Sequence, residues 1–194
     1  MDTCFGEKDV QVVDDFVTVD EQCKVVQQLK GAIWRYGWPV NTATHSRPCW
    51  HTFIAGAGRQ KFLCAEDELK SSDAWSFLFP FWARVKQQYM QDATLIGVYA
   101  NGQTFAQESP IHRDNQPGEE GQTVLMFCNE FWPTSWGGEL VFYDHPKNDI
   151  IKAVLPKPGR IVVFNGSVPH NARSPALSCD QLRMTLAFKT IIKG

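Results

Sequence analysis

No part of this sequence stays apolar for long. Its longest run without a polar residue, Phe77–Ala83, is 7 residues and contains Pro80, far short of the ~20 that cross a bilayer. A membrane-spanning helix is therefore not expected. An export signal is not expected either, because Asp2, Glu7, Lys8 and Asp9 stand where one needs an apolar stretch, and position 2 is not the glycine that myristoylation requires. Charge of one sign is also lacking: 19 Lys and Arg against 21 Asp and Glu leave a net charge of -2. That balance gives no basic footprint for nucleic acid or an anionic lipid surface. The six cysteines (Cys4, Cys23, Cys49, Cys64, Cys128, Cys179) include no C-x-x-C pair, which fits reduced thiols packed as small hydrophobes better than a disulfide framework or a zinc clip. These absences point to a cytoplasmic protein that binds neither nucleic acid nor membrane.

What is present suffices for one domain, 1–194. The 194 residues are 43% hydrophobic and 12% aromatic, enough to bury a sizeable core. Residues 1–93 read as mainly helical support with a substrate-loop region, and 94–191 as strands. Asp9–Val13 is strand-like, and Thr18-Val19-Asp20-Glu21 forms a capping box ahead of Cys23, Val26, Leu29 and Ile33 at helical spacing, so a helix is expected to about Tyr36. A second helix is expected over Phe81–Met90, with Pro80 at its start and Trp82, Val85 and Tyr89 on one face. Gly37–Lys61 has no periodicity and reads as a long irregular segment. Beyond it come seven β-branched or aromatic runs: Thr94–Tyr99, Thr104–Ile111, Gln122–Cys128, Glu139–Tyr143, Ile150–Leu155, Arg160–Phe164 and Arg183–Ile191. Their spacing predicts an antiparallel sandwich or barrel with the helices on one outer face.

His112-Arg113-Asp114 ends the second run. On a strand, alternate side chains share a side, so the imidazole and the carboxylate would face one ion while Arg113 points away. His170, just past Pro158-Gly159 and the apolar run Ile161–Phe164, would complete a face of two histidines and one carboxylate. Such a face leaves three positions of an octahedral ion open, which suits iron(II) better than zinc. Further on, Arg183, Thr185 and Ala187 alternate with Met184, Leu186 and Phe188. The apolar side should pack on the helices and the other side face the interior, where a guanidinium needs a partner and a ligand carboxylate is its best match.

This ordered set, His112-Arg113-Asp114, Gly137-Gly138-Glu139-Leu140, Pro158-Gly159, Val163-Phe164, His170 and Arg183-x-Thr185, resembles the iron(II)/2-oxoglutarate-dependent dioxygenases, nearest their prolyl-4-hydroxylase-like branch. The match runs over Thr94–Lys189. The resemblance implies a mainly β fold with flanking helices around a double-stranded β-helix (jelly-roll) core. It implies Fe(II) on His112, Asp114 and His170, with 2-oxoglutarate and O2 as cosubstrates. It also implies that Arg183, with Thr185, meets the distal carboxylate of 2-oxoglutarate, and that Tyr99 contacts the cosubstrate. Because Ser174–Gln181 lengthens the usual connection, Arg173 and Lys189 are the rival cations. An Asp at the second ligand position favours hydroxylation over halogenation.

The expected substrate is a small polar molecule, such as an amino acid or a biosynthetic intermediate, hydroxylated at a C–H with succinate and CO2 as co-products. A peptidyl residue is the close alternative, and a non-oxidative cupin-type metal- or ligand-binding protein is the alternative from another class. Arg113, Trp132, Trp136 and His51 are the candidate substrate contacts. Arg59 and Arg173 would suit a carboxylate or phosphate if they stood near the mouth, and His45 accompanies His51 in the irregular segment.

Overall fold

The computed structural model describes residues 5–38, 48–56, 64–116, 118–144 and 149–192; His45 and Arg59 lie outside them. In chain order the elements are β1 (Val10–Val13), α1 (Val19–Gly31), β2 (Arg35–Trp38), β3 (Cys49–Ala55), α2 (Glu66–Ser71), α3 (Leu78–Tyr89) and β4 (Ala93–Gln103), followed by β5 (Gln122–Phe127), β6 (Leu140–Tyr143), β7 (Ile150–Val154), β8 (Ile161–Asn165), β9 (His170–Ala172) and β10 (Arg183–Ile192). Two antiparallel sheets form a jelly-roll core. The large one has the order β1-β8-β5-β10-β4-β3-β2 and the small one β7-β6-β9.

The central strand β10 separates two cores by its alternation. Met184, Leu186 and Phe188 face outward onto the helices, where Phe188 stacks on Trp82 at 5.8 Å and meets Phe81 at 5.4 Å. A second cluster, including Leu125, Phe127, Leu140, Phe142, Val162 and Phe164, fills the space between the sheets. The helices follow their local signals. Thr18 Oγ1 accepts from the Glu21 backbone N–H and Glu21 accepts from that of Thr18, closing the capping box. Glu21 is then gripped by Arg84 of α3 through two hydrogen bonds of 2.7 and 2.8 Å. In α3, Pro80 sits in the first turn, where its missing N–H costs no hydrogen bond.

Several expectations are corrected. α1 ends at Gly31 rather than near Tyr36, and Ile33 is exposed beyond it. The N-terminal segment gives more than helical support, because β1, β2 and β3 all join the large sheet and β3 lies inside the stretch read as irregular. Thr104–Ile111 is not a strand. The Gln107 carboxamide folds back to accept from the Thr104 N–H at 2.7 Å, and Ala106 takes a φ of 65°, so the chain turns there. The segment's end is tied to the small sheet without being a strand, by Ser109, whose N–H donates to the Ala172 carbonyl and whose Oγ accepts from the Ala172 N–H, and then by the bridge His112↔His170. β4 is correspondingly longer than expected and pairs with β10 from Gln103↔Arg183 to Ala93↔Ile192, with a bulge at Ile96. No helix among the described residues is long and apolar enough to cross a membrane, and Cys23, Cys64, Cys128 and Cys179 are free thiols.

Two outcomes follow from this packing. Phe188→Ala removes the ring sandwiched under α3 and should lower stability by about 3–5 kcal/mol in urea unfolding. At the edge of the large sheet, Arg160 hydrogen-bonds both oxygens of Asp14 and Lys157 adds a third contact. The Arg160 contact is the main cause that holds the Asp14 carboxyl down to about 2 from its ordinary 3.8. A depressed carboxyl stabilises the fold above its unfolded value and loses that contribution as pH falls from about 4 toward about 2. Being partly solvated, it contributes no more than about 1 kcal/mol. The urea midpoints of wild type and Asp14→Asn should therefore differ at pH 6 and converge near pH 2.

Candidate active site

The inward side of β10 forms the floor of a cavity of about 380 Å³ between the sheets. Along β10 the cavity meets Arg183, Thr185, Ala187 and Lys189, and along β4 it meets Gln103, Asn101 and Tyr99. Leu125, Leu140 and Phe164 supply apolar wall.

His112, Asp114 and His170 come together at this cavity, with one ligand atom from each lying within 4.8 Å of the others. They form the one such group of His, Cys, Asp or Glu among the described residues. The backbone explains their meeting. His112 and His170 exchange both backbone hydrogen bonds, at 3.0 and 2.9 Å. The next turn is set by the Gly166 carbonyl, which accepts from the N–H groups of Asp114 and Asn115 at 2.8 and 3.0 Å. Gly166 has to be small here, since a Cβ would overlap the Asn115 carboxamide.

Each imidazole is oriented by its own chain. His112 Nδ1 lies 2.9 Å from the Pro110 carbonyl oxygen, and His170 Nδ1 lies 2.9 Å from that of Val168. A carbonyl only accepts, so both Nδ1 atoms carry the proton and both Nε2 lone pairs are left for a cation. Nε2 of His112 is 3.7 Å from Asp114 Oδ1, and Nε2 of His170 is 3.6 Å from Asp114 Oδ2. Burial lowers the pKa of both rings, that of His170 to about 3, so they are neutral donors at ordinary pH. For Asp114, burial works to raise the carboxyl, but the Lys189 ammonium and the two imidazoles outweigh it and hold the group well below the ordinary carboxylate range. Two neutral imidazoles and one carboxylate, with open cavity beside them, fit a divalent cation that keeps exchangeable positions.

Arg183 stands at the opposite end of the floor and is 1% exposed. Its Nε donates to the Gly138 carbonyl at 2.7 Å and its Nη1 to Gln103 Oε1 at 2.8 Å, while its ring-facing side lies over Phe127. Nη2 is buried with no hydrogen-bond partner. Burial lowers this guanidinium only to about 10, so it is charged at neutral pH. A buried charge with an unused donor is costly, and a ligand carboxylate is the group that would relieve it. Gly138 makes the anchoring possible: its φ is 75°, and a Cβ there would come within 3.0 Å of Arg183 Cδ.

The remaining candidates divide. Thr185 and Tyr99 line the cavity, as does Arg113. The alternation argument sent Arg113 outward, but the chain bends through Asp114 and Asn115 instead of continuing as a strand. Trp132 and Trp136 are not among the lining residues. Trp132 donates to the Gly137 carbonyl and meets Trp136 edge-on at 5.1 Å, bracing the Gly137-Gly138 turn behind Arg183. His51 sits on β3 opposite Asn101, edge-on to Phe53, and is also not among the lining residues. Of the rival cations, Arg173 pairs with Glu108 at 3.0 Å away from the cavity, whereas Lys189 lies in it, bonded to Asp114. Sequence reasoning missed Gln103, Thr123 and Gly138. For Gln103 and Thr123 the signal was present, since each lies on the inward alternation of a strand paired with β10.

Residues 96–188 match the family described as the 2OG-Fe(II) oxygenase superfamily. Comparison with curated proteins gives no match. Solved structures share the fold. A prolyl hydroxylase from Trichoplax adhaerens, in complex with a hypoxia inducible factor oxygen degradation domain peptide fragment, superposes with a TM-score of 0.66 at 15% identity, covering 95% of this chain and 84% of that one. A Pseudomonas putida prolyl-4-hydroxylase gives 0.63 at 15%, covering 96% and 94%. An oxidoreductase of the 2OG-Fe(II) oxygenase family from Burkholderia pseudomallei gives 0.66 at 14%, covering 97% and 87%. Residues 96–188, which run across the cavity and its three converging side chains, belong to the 2OG-Fe(II) oxygenase superfamily, enzymes that use Fe(II), 2-oxoglutarate and O2.

Proposed function

We propose that this dioxygenase holds Fe(II) on His112, Asp114 and His170, holds 2-oxoglutarate with its distal carboxylate on Arg183, and hydroxylates a C–H bond of a small polar molecule. The observation that carries the reading is the pairing, in one cavity, of three convergent ligand atoms with a buried guanidinium whose Nη2 lacks a partner. When bound, iron(II) would activate O2, the oxidant, with 2-oxoglutarate giving up two electrons as it loses CO2 and takes one oxygen atom into succinate, and the substrate C–H giving up the other two as it takes the second oxygen atom as hydroxyl.

The protein's part is positioning and exclusion of water. The Pro110 and Val168 carbonyls fix both rings so that Nε2 faces the ion. Gln103 and Gly138 hold the guanidinium plane, which leaves Nη2 for the carboxylate, with the Thr185 hydroxyl beside it on the same face. Tyr99, half-buried on the wall, contributes a phenol to the cosubstrate's surroundings. Leu125, Leu140 and Phe164 keep this end dry. Arg113, on the wall and outside every ion pair among the described residues, is the contact assigned to a substrate carboxylate.

A cavity of about 380 Å³ suits a small molecule. A peptidyl substrate is the second reading, and it is favoured by the likeness to a prolyl hydroxylase holding a peptide fragment. Succinate release with free amino acids against proline-containing peptides separates the two. Trp132, Trp136 and His51 are left out of the substrate set on either reading. The free thiols fit a cytoplasmic setting.

Two substitutions test the assignment. Asp114→Ala should abolish succinate formation while far-ultraviolet circular dichroism stays that of wild type; retained turnover removes Asp114 from the ligands. Arg183→Met should weaken 2-oxoglutarate about 10- to 100-fold, the cost of losing hydrogen bonds to a charged group. This is read by titrating the anaerobic Fe(II) protein and following the visible charge-transfer absorption, and an unchanged affinity returns the role to another cation.

A further inference from the structure

Lys189 lines the cavity half-buried, yet the reading above gives it no task. It follows Arg183, Thr185 and Ala187 on the inward side of β10, and its ammonium is bonded to Asp114 Oδ2. Thr123, on the neighbouring strand β5, donates to the same oxygen at 2.6 Å, and Lys189 donates to Thr123 Oγ1 at 3.3 Å. The ammonium also lies 5.9 Å from the centre of the Tyr99 ring. Both protein donors therefore fall on Oδ2. The imidazoles do not tell the two oxygens apart, since Oδ1 lies 3.7 Å from His112 Nε2 and Oδ2 lies 3.6 Å from His170 Nε2; the difference is that Oδ1 receives neither donor.

The geometry points to Lys189 and Thr123 as positioning residues that make Asp114 a one-oxygen ligand. A carboxylate oxygen has two lone pairs in its plane, and on Oδ2 both are taken by a hydroxyl and an ammonium. A cation held by the two Nε2 atoms would then be left with Oδ1 alone. The coordination position that a chelating carboxylate would occupy stays open for the keto acid. Lys189 and Thr123 thus act on cosubstrate binding through Asp114, without contributing a ligand. This rests on the oxygenase reading and adds to it a reason why Asp114 does not close the site.

The test uses Thr123→Val, which keeps the shape of the side chain and removes the donor, Thr123→Ser, which keeps the donor, and Lys189→Met. Mn(II) binding, followed by electron paramagnetic resonance, should persist in all three because the ligands remain. In the anaerobic Fe(II) protein, 2-oxoglutarate should bind roughly tenfold or more weakly in Thr123→Val and Lys189→Met, the scale of effect of groups that orient a ligand. The charge-transfer band should shift in both, and Thr123→Ser should restore affinity and band. An unchanged band and affinity in Thr123→Val overturn the proposal, even if Lys189→Met fails to fold. Loss of Mn(II) binding in Thr123→Val overturns it as well. A wild-type protein that gives no band at all overturns instead the oxygenase reading beneath it.

Discussion

The pairing of β10 between β4 and β5 is the constraint on which the molecule rests. A strand offers two faces at a period of two, and here each face has a different solvent. Phe188 and its outward neighbours belong to the helix-covered core, while Arg183 and its inward neighbours belong to the cavity. Because one register fixes both, a slip by one residue would put two cations under α3 and three apolar side chains in the active site. The core thus holds the chemistry in place, and the many pairings that fix the register do so for both at once.

Electrostatics in this cavity follow from its dryness. Away from water each charged group must find its complement in the protein or in a ligand. Asp114 finds Lys189 and Thr123, whereas the guanidinium at the far end uses Nε and Nη1 on a carbonyl and a carboxamide and keeps one donor in hand. The two ends differ in kind: one is an anion arranged for a cation, the other a cation arranged for an anion. A dicarboxylate whose other end is a keto acid spans such a pair by its own chemistry.

Much of this was legible in the sequence because it depends on local periodicity. The capping box, α3, most of the C-terminal strands and the opposite faces of β10 all follow from spacing alone. The grouping of His112, Asp114 and His170 emerged from a short pair and a distant histidine once their order was considered together. What could not be read depended on partners far away in the chain. Thr104–Ile111 has strand-like composition, but Gln107 closes a turn against it. Arg113 turns inward because the Gly166 carbonyl draws in two successive N–H groups. β3 was hidden in a stretch of turn-forming residues, since its stability comes from pairing with β4 and not from its own pattern. The Gly137-Gly138 pair read as a simple turn, yet one of its carbonyls anchors a buried guanidinium.

The two imidazoles are tethered in the same way, each to the carbonyl two residues before it, with a proline close by in both segments. Neither tether crosses from one sheet to the other. Ring orientation is therefore a property carried by each short segment on its own. Because the two segments also exchange a pair of backbone hydrogen bonds, the large sheet can shift against the small one as a substrate enters while both the gap between the nitrogens and their aim stay as they are. The mouth of the barrel can breathe without the ligands having to be re-aimed.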